Sequence, residues 1–445
     1  MHLRRLALYL LVLLLAGCDS VESAPPQQPP APPPPAPADS GPVTITWAFW
    51  GSPPEIAVHQ QVGEAFMASH PAIKLEMLAL PWSDYFTEIQ SRWSGSDPAA
   101  VPDVLFVWPA PAFAATGVLE NLDPWLEKSG YSFDDYWPAL PESVMVNGSV
   151  YGLPRDINVE VLYYNKSMFD EAGLAYPTDA WSWADLQTAV DTLSQLDEGG
   201  RVARYGLAMA GSKYQLWVGQ NRGAILDDMR NPSRCTLAEP PALEAIKFFA
   251  GLMNNNQAMR DAALSQAGGD AAVFLSGQAA MIIQNFGPLA GFNQADLNYD
   301  VAAAPLPPDG QRSASAGGGA WVMSARSDNK EAAWELMSWL QNPDGGQKIY
   351  SETGLIFPAL QATARSAAFL QAGSPPANRQ AFLTEAENAK VGRFGYFPEW
   401  GELDGAIISP GLQRVWSGET TAEAAVPEIC QQVDAFLAQH GYPRQ

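Results

Sequence analysis

Few side chains in this sequence are grouped so that they could break a bond. A Gly-Lys-Ser/Thr phosphate loop, a Gly-x-Ser-x-Gly nucleophile elbow, a His-Glu-x-x-His zinc site and a Gly-x-Gly-x-x-Gly fingerprint are all absent, and the glycine run at 317–319 lacks dinucleotide spacing. Beyond the N-terminal leader the histidines are His59, His70 and His440, and a three-histidine metal centre would need every one of them. Their settings read as helix surface, helix end and C-terminal tail. Solvated imidazoles are therefore the favoured reading, and neither metal nor cofactor is expected. The 48 acidic side chains keep one enzymatic alternative open, a carboxylate pair hydrolysing glycosides, because spacing along the chain does not fix separation in space. The aromatic inventory is more unusual, with 15 Trp among 445 residues.

The elements that must position these side chains alternate between strand and helix. Val43, Ile45 and Trp47 alternate with Thr44, Thr46 and Ala48, the two-residue period of a strand, and Val58, Val62, Ala65 and Phe66 then share one helical face. Ile73, Leu75 and Met77 mark a second strand, and the short apolar run Val104–Val107 fits a buried parallel one. Ser182 and Asp185 have capping-box spacing ahead of a helix predicted to reach about Leu196. Further helices are expected at Leu243, Ile246, Ala250 and Met253, and at Ala333, Leu336, Met337 and Leu340. Strands interleaved with helices over this length predict an α/β protein of open sheets covered on both faces.

Two segments stand outside that pattern. Arg4 and Arg5 precede an apolar run at 6–15, and Leu15-Ala16-Gly17-Cys18 follows, the layout of a secretory leader whose end resembles the lipobox of bacterial lipoproteins. Residues 1–17 are accordingly expected to be removed and Cys18 lipidated, giving a bacterial protein held outside the cytoplasmic membrane by acyl chains. The stretch PPQQPPAPPPPAP at 25–37 cannot bury a core, so 18–41 read as an extended tether that could span up to about 70 Å at roughly 3.1 Å per residue. The formal charge is -23. Loss of Arg4 and Arg5 would make it -25, and such acidity excludes a nucleic-acid surface built from clustered Lys and Arg. Cys235 and Cys430 remain. In an exported chain a bridge between them is favoured over two buried thiols, and closing so long a loop would contribute up to about 5 kcal/mol.

The middle of the chain carries a resemblance. Tyr151-Gly152-Leu153-Pro154, then 162–169 (LYYNKSMF), Ala172-Gly173-Leu174 and 181–186 (WSWADL) resemble the signature of extracellular solute-binding proteins of ABC importers, in the carbohydrate-binding, maltose-binding-protein-like branch. Pro102-Asp103-Val104 with Gly117-Val118-Leu119, the segment 274–281 (FLSGQAAM), the run 317–321, Thr353-Gly354 with Pro358, and Gly418-Glu419-Thr420-Thr421 follow in the family's order. The likeness covers about residues 43 to 430. It implies a two-lobed periplasmic-binding-protein fold with ligand in the cleft between lobes. Residues 42–153 plus about 320–350 would form the N-terminal lobe, and about 154–319 plus about 351–445 the C-terminal lobe. Crossovers are expected near 152–156, 317–321 and 351–358, where Gly and Pro allow unusual backbone paths.

The resemblance also implies the function: capture of a carbohydrate without bond breaking, by a monomer that delivers it to the transmembrane subunits of an ABC permease with a separate ATPase. A sugar presents hydroxyls in its plane and C–H bonds on its faces, so its site needs aromatic platforms and charge-assisted hydrogen bonds. Cleft position and chemistry together select Trp50 with Ser52 after the first strand, Trp108 after Val104–Val107, Asp156 at the first crossover and Asn285 after a buried strand. Gly318, Trp321, and Trp400 with Glu402 complete the set, Trp400 matching a family position that stacks on sugar; Arg155 and Arg222 are weaker choices. Trp125, Trp181, Trp183, Trp334 and Trp339 read as structural. The chain departs from many relatives after Asn285, where Phe286-Gly287-Pro288-Leu289 lacks a Trp. Alternatives are the same fold binding a non-sugar solute, and a surface carbohydrate-active enzyme.

Overall fold

The computed structural model describes residues 41–95, 101–254, 258–259, 261–390 and 396–444. Cys18 and the tether lie outside them. From Pro42 onward the chain forms one compact unit built on two mixed sheets.

In the first sheet, Val43–Trp50 pairs in parallel with Ile73–Leu80 on one side and Val104–Val107 on the other. Ala320–Met323 then adds antiparallel to Val104–Val107, and Leu153–Pro154 closes the sheet beyond it. Alternation puts Ile45, Trp47 and Phe49 in the core, joined by Val62 and Phe66 from the helix Pro53–Ser69. Pro53 and Pro54 fit the start of that helix because its first turn has no use for their missing N–H groups. Ser52 N also donates to Glu55 Oε2 at 2.7 Å.

His59 does not behave as a surface residue. It lies on the same helical face as Val62 and Phe66 and is fully buried. Its Nδ1 lies 2.7 Å from Tyr350 Oη, and its ring centre is 4.3 Å from that of Phe49. Burial first, and the nearby Arg155 second, hold its pKa well below the ordinary 6.5, so the imidazole is neutral. The helix face turns inward because the sheet behind it, with Trp47 and Phe106, supplies the larger apolar surface.

The second sheet runs Ala258–Met259, Val202–Ala208, Ala279–Gln284, Val161–Asn165, Tyr299–Ala302, with the last two antiparallel to their neighbours. Both faces are covered at its centre, where Leu162 and Tyr164 face one core while Val161 and Tyr163 face the other. The helix after Ser182 ends at Leu193 and not near 196. Gln195–Leu196 instead pairs antiparallel with Val202–Ala208, and Ser194 Oγ accepts from Gly206 N at 3.0 Å. Cys235 and Cys430 are joined by a disulfide that ties an irregular segment to the helix Ala422–Gln439.

The two sheets communicate through adjacent crossover segments. Arg155 N donates to Gly319 O (2.9 Å), Asn158 N to Gly317 O (3.1 Å) and Ile157 N to Phe357 O (3.2 Å). One segment departs from the lobe boundaries read from sequence: Tyr136, Trp137 and Leu140 precede the first crossover yet pack in the second lobe's core with Phe357 and Leu360. Trp137 Nε1 donates to Pro358 O at 2.9 Å, which fixes that segment beside the returning chain.

Candidate functional site

A cavity of about 360 Å3 lies where the crossovers meet the two sheets. Its floor is crossover backbone with Arg155, Asp156, Asn158, Gly317 and Gly319. The first lobe supplies Trp50, Glu55, Trp82, Phe106 and Trp108, and the second supplies Glu160, Lys213, Asn285, Phe286 and Ser315. The position follows from topology. Trp50 and Trp108 end or follow parallel strands of the first sheet, and Asn285 follows Ala279–Gln284 of the second. Both sheets therefore face the cavity with the carboxyl ends of strands, where open α/β sheets bind ligands.

The aromatic side is pre-packed. The Trp50 ring lies 4.1 Å from Phe106 and 5.0 Å from Trp82 between centroids, and Trp82 is 53% exposed at the start of the helix Trp82–Ser94. An indole braced by neighbouring rings yet partly exposed can serve as a stacking platform that loses little entropy on binding.

The charged floor is mostly committed to the fold. Asp156 accepts from Arg155 Nε (2.6 Å) and from Gly319 N (3.1 Å), so one carboxylate clamps two crossovers. The Arg155 guanidinium lies 3.8 Å over the Phe106 ring, and its backbone carbonyl accepts from Gln347 Nε2 at 2.7 Å. Arg155 and Asp156 neutralise each other in this buried setting, as a buried pair must. Glu160 Oε2, from the second lobe, lies 3.4 Å from Ser315 N. Tyr163 Oη donates to Asn285 O at 2.8 Å and fixes that loop, while Asn285 Oδ1 accepts from Gly287 N at 3.0 Å.

The structure thus brings Trp50, Trp108, Asp156 and Asn285 onto one cavity, with Arg155 beside them. The other sequence choices fall elsewhere. Trp321 is fully buried because Ala320–Met323 is an interior strand; its ring packs 5.3 Å from Trp47 and 4.8 Å from Phe106. Gly318 serves the crossover: a Cβ there would come within 2.1 Å of Asp156 O. Ser52 is exposed at the helix start, and its partner Glu55 reaches the wall in its place. Trp400 opens the short helix Trp400–Leu403 and packs half-buried against the second lobe's core, and Glu402 points to solvent. Arg222 donates to Asp309 O at 2.9 Å, off the wall. Sequence reasoning passed over Trp82, Glu55, Asn158, Glu160, Lys213 and Ser315. The strand-end rule that selected Trp50 also selects Trp82, which follows Ile73–Leu80.

Among the described residues no group of three His, Cys, Asp or Glu could hold a metal ion, and no helix is long and apolar enough to cross a membrane.

Two lobes joined by paired crossovers around an aromatic and polar cleft define a solute-binding architecture. Residues 61–376 match the bacterial extracellular solute-binding protein family, and the chain belongs to it. It is 26% identical over 418 residues to a putative binding protein of Brucella abortus, covering 90% of this chain and 94% of that one. A galactooligosaccharide-binding protein of Bacillus subtilis is 27% identical over 314 residues, 69% of this chain and 71% of the relative. In fold, the chain is similar to an ABC substrate-binding protein of Listeria monocytogenes in complex with cycloalternan. The TM-score is 0.76 at 23% identity, covering 89% of this chain and 99% of that one.

Proposed function

We propose that this protein captures a carbohydrate between its lobes and hands it to an ABC permease, with no bond broken in the process. The observation that carries the reading is the division of one cavity into an aromatic wall, with Trp50, Trp82 and Trp108, and a polar wall, with Glu160, Lys213 and Asn285. Indole faces suit sugar C–H surfaces, and the opposite wall offers both acceptors and donors for hydroxyls. A relative named for galactooligosaccharide binding points the same way. The absence of a phosphate loop from the 445 residues agrees with ATP hydrolysis in separate subunits. An acyl anchor on Cys18 and a tether at 18–41 would keep the monomer near its permease on the outer face of the membrane. Detergent-phase partitioning that disappears with Cys18→Ala tests the anchor.

The carbohydrate is tested by Trp fluorescence followed by calorimetry against neutral mono- and oligosaccharides. Saturable binding of at least one sugar, recovered unmodified, is expected. Silence toward every sugar, with binding of an amino acid or a glycerophosphodiester, would overturn the reading. Release of cleaved sugar would replace it with the enzymatic one.

A further inference from the structure

The second lobe grips the first at a point outside the cavity wall. Arg230 Nη1 donates to Met145 O at 3.2 Å, and Nη2 donates to Glu142 O at 3.0 Å and to Glu142 Oε1 at 3.2 Å. The acceptors sit on a stiff part of the first lobe: Val144 between them is buried in its core, and Met145 pairs with Val150. The donor is held as firmly. Asp228 Oδ1 accepts from Arg230 N at 2.7 Å, and Asp227 Oδ1 accepts from Ser233 N and Arg234 N at 2.8 and 3.1 Å. Cys235 then fixes the same segment to Cys430 by the disulfide, and its N–H donates to Asp434 Oδ1 at 2.7 Å. The guanidinium carbon lies 5.3 Å from the Tyr396 ring centre.

We propose that Arg230 is a tie between the lobes that limits how far they part when the cleft is empty. Its force lies in the planar fork that reaches two backbone carbonyls at once, a geometry an ammonium cannot reproduce. The Glu142 carboxylate adds little, since that ion pair is largely solvated, with Glu142 62% exposed. The tie differs between joined and parted lobes, and only such differential contacts shift a conformational equilibrium. The inference rests on reading the cleft as one that opens and closes.

Small-angle X-ray scattering of the full, ligand-free chain tests it. Arg230→Ala is expected to enlarge the radius of gyration, Arg230→Lys to enlarge it less, and Glu142→Ala to leave it at the wild-type value. A wild-type curve for either Arg230 variant overturns the tie or its fork, as does an enlargement by Glu142→Ala equal to that of Arg230→Ala. If Arg230→Ala does not fold, the Lys variant decides. No solute enters the experiment, so its failure is distinguishable from failure of the carbohydrate reading.

Discussion

The two lobes contribute different chemistry to one cavity, indoles from the first and most of the polar groups from the second, and are stabilised by different means. The first lobe offers indoles backed by one aromatic core, in which Trp47, Phe49, Phe106 and Trp321 meet around His59. The second offers amide, carboxylate and ammonium groups from loops over a sheet with a core on each face, and it alone carries the disulfide. A wall of packed rings is rigid without help, whereas loops bearing polar groups need internal hydrogen bonds and a covalent tie to hold their positions. The same division reaches the buried titratable groups. The first lobe hides a neutral imidazole, and the second hides Glu385, which bonds Arg312 at 2.7 Å and Ala304 N at 2.9 Å through Oε1, with Oε2 buried and unpartnered. Burial raises the Glu385 carboxyl to about 7 despite Arg312.

The largest break in this comparison comes from the covalent tie. Replacing Cys235 and Cys430 together by Ser should lower stability by up to about 5 kcal/mol on the chain-entropy account, given a sequence separation of 195. Denaturant unfolding should show the loss, and an unchanged midpoint would remove the disulfide from the second lobe's support. Next in size is the aromatic wall. Trp82→Ala should weaken binding of the panel-selected sugar by about 2 kcal/mol, roughly thirty-fold in calorimetry, with little change in melting temperature because the ring is already exposed. Trp400→Ala, packed on the second lobe's core, should change affinity by less than about 0.5 kcal/mol. Equal losses for the two would erase the contrast between walls. Asn285→Ala should cost about 1 kcal/mol of affinity, the usual worth of a hydrogen bond, with melting preserved.

A last break is a difference in slope. Glu385 has a folded pKa of about 7, above its ordinary 4.5, so the folded state holds the extra proton and its contribution falls as pH rises from about 4.5 through 7. His59 is depressed below 6.5, so its contribution is complete above that value and is lost as pH falls beneath it. Unfolding midpoints from pH 5 to 8 should show Glu385→Gln flattening the decline toward high pH and His59→Gln flattening the decline toward low pH. Both slopes left unchanged would mean neither group titrates on unfolding as the burial implies.

Much of the architecture was legible in residue order, because strand and helix periods are local. Trp50 and Trp108 could be placed at the cleft since one ends and the other directly follows a recognisable strand of the first sheet. Trp321 follows the same rule in reverse. It lies within the antiparallel strand Ala320–Met323, inserted between Val104–Val107 and Leu153–Pro154, and that insertion, invisible locally, turns a wall candidate into core. The polarity of His59 suggests a surface position although its helical spacing matches Val62 and Phe66, and only the depth of the opposing sheet shows that the face is covered. Lys213 and Glu160 carry no local signal, since short irregular segments bring them to the wall.

By itself the sequence determined the alternating elements, the strong acidity, and the family through its ordered motifs. Tertiary structure decided which strand is interior, which carboxylate clamps crossovers at the cavity floor, and where Arg230 reaches across. Those outcomes depend on contacts between residues tens to hundreds of positions apart, and periodicity carries no information about them.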